Sequence, residues 1–591
     1  MPKKKRRGSA PEVSESVAPS ESEASPEVSG NHLAVAGPDA PAVKVPEGSL
    51  LSRHWARRDV LLKIYGLLLL SAVLMFLGFA GFGIWPLGFV AMLPALFVFD
   101  PLETRGGFDR PAFDRAGGRA FFWRALFFGT VAYAGGFYWI EYTLRLFSGF
   151  HYTLSTLFST IFWSFQGLQF VLMLWVFRRA RKNGWPAAFA LPVGYLAAEQ
   201  AFPMLFEHYY GSALLSVPAL VQVAELGGPE LATLVTMLPA GALYDVLSAW
   251  SKKERISRTG PAVAVGYLVF VVVFGVWRIG VIEDRMEAAP TMVIGVVQPN
   301  LGLFDRFEDP RESLAAEVEV SREIERLSSP DLIVWPESSV QFWMDDVRNV
   351  RRRFMPGLST PVLFGGIRHG EMGPGGRRRQ HNTAFLTDGA GEIIGTYDKT
   401  YLLAFGEYLP FGDTFPVLYD ISENSGQFSP GDHVEPLELP LASDAERGER
   451  PEVVRIGTLI CYEDIVSGFV RYAVNEGDPH VLINMTVDSW FGPTQEPHVH
   501  LGLAAFRAIE HRRYLIRATN SGISAAIDPI GRLHDETPLF ERASFAHEVR
   551  LLSGHTTLFE QLGHWPGYLA LGLAALALVR RRDALFTKKP S

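Results

Sequence analysis

The 591-residue chain contains a single cysteine, Cys461. One thiol excludes an intramolecular disulfide and any zinc site built on paired cysteines. A continuous basic stripe is also missing: Lys and Arg come in short clusters between apolar runs, and the formal net charge is -8. That argues against nucleic acid, whose phosphates call for one contiguous cationic face. Aromatics are nearly absent from the first 50 or so residues, which are rich in Ser, Glu, Pro and Ala. Such a stretch cannot bury enough surface to offset the entropy of ordering, so residues 1–55 are expected to be a disordered cytoplasmic tail. A cleavable signal peptide is not expected, because the first apolar segment begins only near Val60. The cluster Pro2-Lys3-Lys4-Lys5-Arg6-Arg7 has the form of a nuclear address, but ahead of apolar segments it serves better as a topology signal.

What the chain has in abundance is apolar residues, 48% of the total. Runs at roughly 60–79, 81–99, 121–141, 154–177, 185–204, 229–249, 261–280 and 564–579 predict a multi-pass helical bundle of about eight spans. Most reach the ~20 residues that cross a ~30 Å hydrocarbon core. Basic clusters fall in every second connection: Arg53, Arg57 and Arg58; Arg105, Arg110, Arg115, Arg119 and Arg124; Arg178, Arg179, Arg181 and Lys182; Lys252, Lys253, Arg255 and Arg258; Arg580, Arg581 and Arg582. Both termini are therefore expected in the cytoplasm, with about 280 residues between spans seven and eight on the outer side. The expected division is a seven-span bundle at 56–285, an α/β domain at 286–555, and a last span with a basic tail at 560–591. Glu141, Glu199 and Asp245 lie within or beside spans, where a carboxylate is a functional hypothesis by default. Glu141 and Asp245 sit near span ends, and Glu199 is open between a helix–helix hydrogen bond and a substrate contact. No inverted repeat or pair of broken helices is evident, which counts against a transporter.

From about residue 290 the apolar runs shorten and turns multiply. Met292 to Gln298, Asp331 to Trp335, Val362 to Phe364, Ala384 to Leu386 with Ile393-Ile394, and Val481 to Asn484 read as strands. Helical patterns fall at Glu312 to Leu327 and Gly502 to Arg512, and the alternation predicts a layered α/β domain. The run Val453 to Ile460 delivers Cys461 to a turn at Tyr462-Glu463-Asp464. A buried structural thiol and a nucleophile are both open on position alone. Two further polar residues follow strands: Glu337 in Trp335-Pro336-Glu337, and Lys399 in Tyr397-Asp398-Lys399. His498-Val499-His500 reads as two imidazoles on one strand face, yet spacing supplies no third ligand, so no metal is expected. Asn484-Met485-Thr486 matches a glycosylation sequon but is better read as a buried strand end.

The motifs V-W-P-E, Y-D-K-T-Y-L-L-A-F-G-E-Y-L-P (Tyr397 to Pro410), I-C-Y-E, S-W-F-G and R-A-T-N-S-G-I together resemble the nitrilase, or carbon–nitrogen hydrolase, superfamily. With spans on both sides, the chain looks like its membrane-bound branch, the apolipoprotein N-acyltransferase family. Tyr401 and Ala404 stand where that family more often shows His and Pro. The resemblance implies an αββα sandwich facing the periplasm from a bacterial inner membrane, with Glu337 as base, Lys399 as oxyanion partner and Cys461 as nucleophile. Burial of Glu337 is expected to lift its pKa towards neutrality. It also implies supporting roles for Glu407, Tyr462 and Glu463. The apolar loop Leu402 to Phe428, with Phe405 and Tyr408, reads as a lid, and Trp490 and Phe491 as part of the same mouth. The implied reaction moves an acyl chain from a phospholipid, phosphatidylethanolamine by expectation, through a Cys461 thioester to the α-amino group of a diacylated apolipoprotein, without a cofactor. The alternatives are a membrane-tethered amidase, or a transporter or sensor with a ligand-binding outer domain. A lone thiol in an oxidising compartment is a liability unless used, which favours the nucleophile.

Overall fold

The computed structural model describes residues 50–102, 117–302, 308–373, 378–415, 417, 419, 426–441 and 450–579. The expected disordered tail up to residue 49, the basic residues Arg105, Arg110, Arg115 and Arg580 to Arg582, and parts of the expected lid (416, 418 and 420–425) lie outside the described residues. The chain divides into two compact units, Met1–Arg58 and Asp59–Ser591. The first contributes the opening turns of helix Leu50–Leu77.

Among the described residues, four helices are long and apolar enough to cross a membrane: Arg58–Leu77, Tyr152–Lys182, Pro229–Lys252 and Thr259–Ala288. Other expected spans are shorter or interrupted. The stretch expected at 81–99 is a 3-10 turn, Trp85–Phe89, and a helix, Leu93–Phe99, each with a proline in its first two positions. Proline suits a first turn and cannot continue a preceding helix, so Pro86 and Pro94 divide the run. Ala187–Ala201 and Trp565–Leu578 span 15 and 14 residues. The carboxylates near these helices have local tasks. Asp245 accepts the backbone N–H groups of Ala187 and Ala188 at 3.0 and 2.9 Å, capping a helix start. Glu199 accepts the Tyr210 N–H at 3.1 Å, and Glu141 pairs with Arg145 at 2.8 Å.

Among the described residues the α/β domain has thirteen strands: β1 Thr291–Gln298, β2 Leu332–Val334, β3 Val340–Trp343, β4 Val362–Met372, β5 Arg378–Thr387, β6 Ile393–Asp398, β7 Leu437–Pro440, β8 Val453–Ile460, β9 Val481–Thr486, β10 Tyr514–Thr519, β11 Ala525–Ile527, β12 Leu533–His534 and β13 Ala543–Arg550. They form two sheets. One has the order β13-β1-β2-β4-β5-β6 with β3 beside β4; the other has the order β12-β11-β10-β9-β8-β7. Alternation at period two sorts their side chains. Ile294, Leu332, Leu363 and Leu386 meet Ile456, Ile483 and Ile516 between the sheets. Val297, Ile333 and Phe364 point outward to helix Pro310–Ser328. Leu459, Leu482 and Leu515 point outward on the other side, where they share one core with Val499 and Ala504 of helix Glu496–His511.

That outer core does not stop at the domain's edge. It runs on through Phe79, Phe128, Phe137, Trp139 and Leu174 of the helical bundle. Polar clamps reinforce the junction. Buried Arg512 pairs with Glu225 at 2.6 Å and donates to Gln222 Oε1 at 2.7 Å, while Arg278 takes the other Glu225 oxygen at 2.6 Å. Removing one partner of a buried pair costs about 3–5 kcal/mol, because the other is left desolvated. Arg512→Ala in detergent should therefore unfold at a clearly lower temperature than the wild-type protein; an unchanged midpoint would show that the clamp contributes nothing.

Candidate active site

Cys461 follows β8 at the carboxyl end of the parallel trio β8, β9 and β10, the end at which open α/β sheets bind ligands. Its φ of 53° is left-handed, a conformation that costs a residue with a β-carbon roughly 1–2 kcal/mol. The kink ends the strand and opens a 3-10 turn, Cys461–Ile465, so the thiol leaves the inter-sheet core. It is partly buried, against both the inter-sheet core and the core shared with the bundle. Ser338, beside Glu337, and Phe405 and Phe411, in the aromatic loop after β6, are left-handed too. Such strain persists only where surrounding structure over-determines it.

Glu337 comes from the other sheet. Buried Trp335 anchors the turn after β2 by donating its indole N–H to Ser321 at 2.7 Å. Gly365 on β4 passes so close that a β-carbon there would lie 2.4 Å from the Ser338 nitrogen and 2.9 Å from the Glu337 backbone. Lys399, 1% exposed, follows β6 and pairs with Glu407 at 2.8 Å. Asn382 on β5 joins the two carboxylates, donating to Glu337 at 2.7 Å and to Glu407 at 3.4 Å. This amide was not singled out from the sequence. The available signal is a polar amide in an otherwise buried stretch of strand, Asn382 to Thr387.

These groups form one electrostatic cluster. Burial pushes the Cys461 thiol well above its ordinary range; the Glu337 carboxylate pushes the same way, while Lys399 and the Thr486 hydroxyl pull it down. Burial works against the Lys399 ammonium, but Glu407, Cys461, Glu337 and Glu463 more than offset it and hold its pKa above the ordinary lysine value. At neutral pH the resting site therefore holds a thiol and an ammonium.

Glu463 and Tyr462 serve the frame around these groups. Fully buried Glu463 accepts from Tyr397 Oη at 2.9 Å, Thr400 N at 2.8 Å and Tyr401 N at 2.9 Å, and its other oxygen accepts from Ile460 N at 2.7 Å. Burial pushes its carboxyl up to about 7, against the pull of Lys399 and of the Tyr401 and Ile460 N–H groups. Tyr462 donates its hydroxyl to the Leu205 carbonyl of the bundle at 2.5 Å and rests its ring against Phe206 and Tyr401.

The loop F-G-E-Y folds so that Glu407 turns in while its aromatic neighbours turn out. Phe405 N donates to the Tyr408 carbonyl at 2.7 Å and Phe428 N to the Glu407 carbonyl at 3.0 Å. Phe405, Tyr408, Phe411 and Phe415 are exposed, Phe411 at 76%. So apolar a surface is unusual for a loop bathed in water. Trp490 is half-buried, whereas Phe491 is buried with its ring on Trp139 of the bundle at 5.0 Å.

The His498-Val499-His500 expectation is corrected in part: the three lie on helix Glu496–His511, and of the two imidazoles only that of His500 is buried, His498 being exposed. Ligand atoms of Asp488, Glu496 and His500 lie within 4.8 Å of one another. Arg517, however, donates to both Asp488 oxygens at 3.0 Å, so a cation there would sit against a guanidinium. Asn484 is fully buried on β9, out of reach of glycosylation.

Residues 294–551, the stretch of the two stacked sheets, match the Carbon-nitrogen hydrolase family. An amidase from Nesterenkonia sp. AN1 is similar over 44% of this chain and 91% of its own, at 18% identity and a TM-score of 0.31. Residues 71–242 match the Apolipoprotein N-acyltransferase N-terminal domain. Apolipoprotein N-acyltransferase of Azotobacter vinelandii is 30% identical over 548 residues, covering 87% of this chain and 95% of the relative. That of Geobacter metallireducens is 28% identical over 541 residues, covering 90% and 96%. The chain belongs to the apolipoprotein N-acyltransferase family and is an acyltransferase.

Because Cys461 is the only thiol, alkylation by iodoacetamide reads its ionisation directly. Lys399→Met should move the midpoint of alkylation to higher pH, and Glu337→Gln should move it to lower pH; shifts of the opposite sign would contradict the electrostatics above. Gly365→Ala should displace Glu337 and lower the acyl-transfer rate by about 10²-fold, the scale of a ~1 Å misplacement, and a wild-type rate would show that the turn has room to yield.

Proposed function

We propose that this enzyme transfers an acyl chain from a phospholipid, through a Cys461 thioester, to the α-amino group of a diacylated lipoprotein at the outer face of a bacterial inner membrane. The observation that carries the reading is the convergence of Glu337, Lys399 and Cys461 under a loop whose exposed face is aromatic. Phosphatidylethanolamine is the proposed donor. The bundle is proposed to make about eight spans, with the short and broken helices completing the count. In this reading the first helix, Leu50–Leu77, opens the bundle earlier than the expected boundary at 56; the bundle runs to 285, 286–555 is the outer domain and 560–591 the last span with its cytoplasmic end.

In the first half-reaction Glu337 takes the thiol proton as sulfur attacks the ester carbonyl. The tetrahedral oxyanion is held by the Lys399 ammonium and the backbone N–H of Tyr462; one lost donor of this kind typically costs about 10²–10³ in rate. As the intermediate collapses, Glu337 returns the proton to the departing lysophospholipid alcohol. In the second half-reaction the neutral amine of the acceptor attacks the thioester. Glu337 takes its proton and hands it to the leaving thiolate, restoring the resting site. Glu407 keeps the Lys399 ammonium oriented. Phe405, Tyr408, Phe411 and Phe415 meet the acyl region of the bilayer, admit lipid and, with Trp490 and Phe491 behind them, keep water from the thioester.

Right-side-out membrane vesicles carrying the wild-type enzyme should acylate a diacylated lipopeptide added outside, and Cys461→Ser vesicles should not. Acyl release to water with no transfer would turn the reading to the amidase, and activity confined to inverted vesicles would overturn the orientation.

A further inference from the structure

The left-handed turn at Cys461 swings its carbonyl out of the β8 ladder, so that oxygen needs a donor from elsewhere. Asn484 on β9 supplies it, with Nδ2 3.0 Å from the Cys461 oxygen. An amide can face either way, and here its direction is dictated. Arg517 on β10 stands directly across from Asn484 in the parallel register and donates from Nη1 to its Oδ1 at 3.2 Å. With the amide oxygen held by a guanidinium, the NH2 group must face the cysteine carbonyl.

Arg517 is in turn fixed on both sides. The same Nη1 donates to Asp464 Oδ2 at 2.7 Å, three residues beyond the cysteine in the same turn. Nη2 spans both oxygens of Asp488, two residues before Trp490. His500 bridges the two aspartates from behind, its Nε2 2.8 Å from Asp464 and its Nδ1 3.3 Å from Asp488. Arg517, Asn484, Asp464, Asp488 and His500 are all at least 95% buried.

We propose that Asn484 and Arg517 are positioning residues for the nucleophile: the guanidinium orients the amide, the amide holds the Cys461 carbonyl, and the carbonyl sets where the sulfur stands relative to Glu337 and Lys399. The same guanidinium, through Asp488, ties the strained turn to the segment carrying Trp490 and Phe491. The charges suit a permanent brace, because two cations, Arg517 and the imidazolium of His500, face two carboxylates, Asp464 and Asp488. Asp464 and Asp488 carry the imidazole up to about 10 against its burial and the nearby guanidinium. Glu496 beside them is pushed well up by burial, which favours its neutral form.

The inference rests on the proposed acyl transfer for its kinetic arm alone. Asn484→Leu removes the donor at nearly constant volume and leaves Arg517 its two aspartates. Asn484→Asp keeps a partner for Arg517 but turns a carboxylate oxygen on the cysteine carbonyl. Both full-length variants, purified in detergent, should form the acyl adduct on Cys461 at least about tenfold more slowly at saturating phospholipid, with the phospholipid KM within about twofold of wild type. In Asn484→Leu the iodoacetamide midpoint of Cys461 should move to higher pH as the sulfur leaves the ammonium. A folded Asn484→Leu protein with wild-type adduct formation and a wild-type alkylation profile overturns the proposal, as does a loss of rate that only follows the loss of folded protein. Should the wild-type protein take no acyl adduct, the acyl-transfer reading fails while the alkylation arm still decides the relay.

Discussion

The carboxylate of Glu463, buried between a strand of one sheet and a loop of the other, carries the constraint on which the site depends. Its four donors come from Tyr397, Thr400 and Tyr401 around the lysine and from Ile460 beside the cysteine. A carboxylate with that many partners cannot move without stranding buried N–H groups, and each stranded group costs roughly 1–3 kcal/mol. The lysine and the thiol, 62 residues apart in sequence, are therefore held by one short connection. Flexible packing alone would not fix them to the tolerance that the proposed proton transfer and oxyanion binding would require.

A second constraint follows from the shared core. The outer face of the sheet that carries Cys461 is covered by two helices of its own domain and by the helical bundle, in a single apolar cluster. Tyr462, next to Cys461, is bonded to the bundle through Leu205, and Phe491 packs on Trp139. The Cys461 turn is thus built at the junction with the apolar helices and not at the tip of a tethered domain. The proposed transfer between lipid-anchored substrates calls for that placement, since the thiol would then meet an ester near the edge of the hydrocarbon. The exposed aromatics of the 401–417 loop continue the same apolar surface outward.

Much of this was legible in the chain. Short apolar, β-branched runs located β1, β2, β8 and β9 closely, because these strands are buried on both faces; they marked β4, β5 and β6 only at Val362–Phe364, Ala384–Leu386 and Ile393-Ile394, because the rest of those strands is more polar and more exposed. Helix Glu496–His511 was predicted to start six residues late, since His498 and His500 imitate strand alternation at the point where the helix begins. The run at 81–99 looked continuous by hydropathy, while its prolines set the breaks. Asp245 and Glu199 fell on apolar segments, and the structure assigns both to backbone N–H groups that a sequence cannot pair with them.

By itself the sequence determined the classes of chemistry: one thiol, a carboxylate and an ammonium after separate strands, apolar helices, and an aromatic loop. Composition and periodicity are local properties, and each of these features is local. Only the tertiary structure decided which polar groups share a boundary. Asn382 between two carboxylates, Glu463 between two sheets, and Asn484 under the cysteine carbonyl all depend on segments distant in sequence being brought to hydrogen-bonding distance, within one sheet or across the two. Hydrogen bonds act over such distances and leave no periodic trace in the chain, so their partners become visible only after the strands are paired.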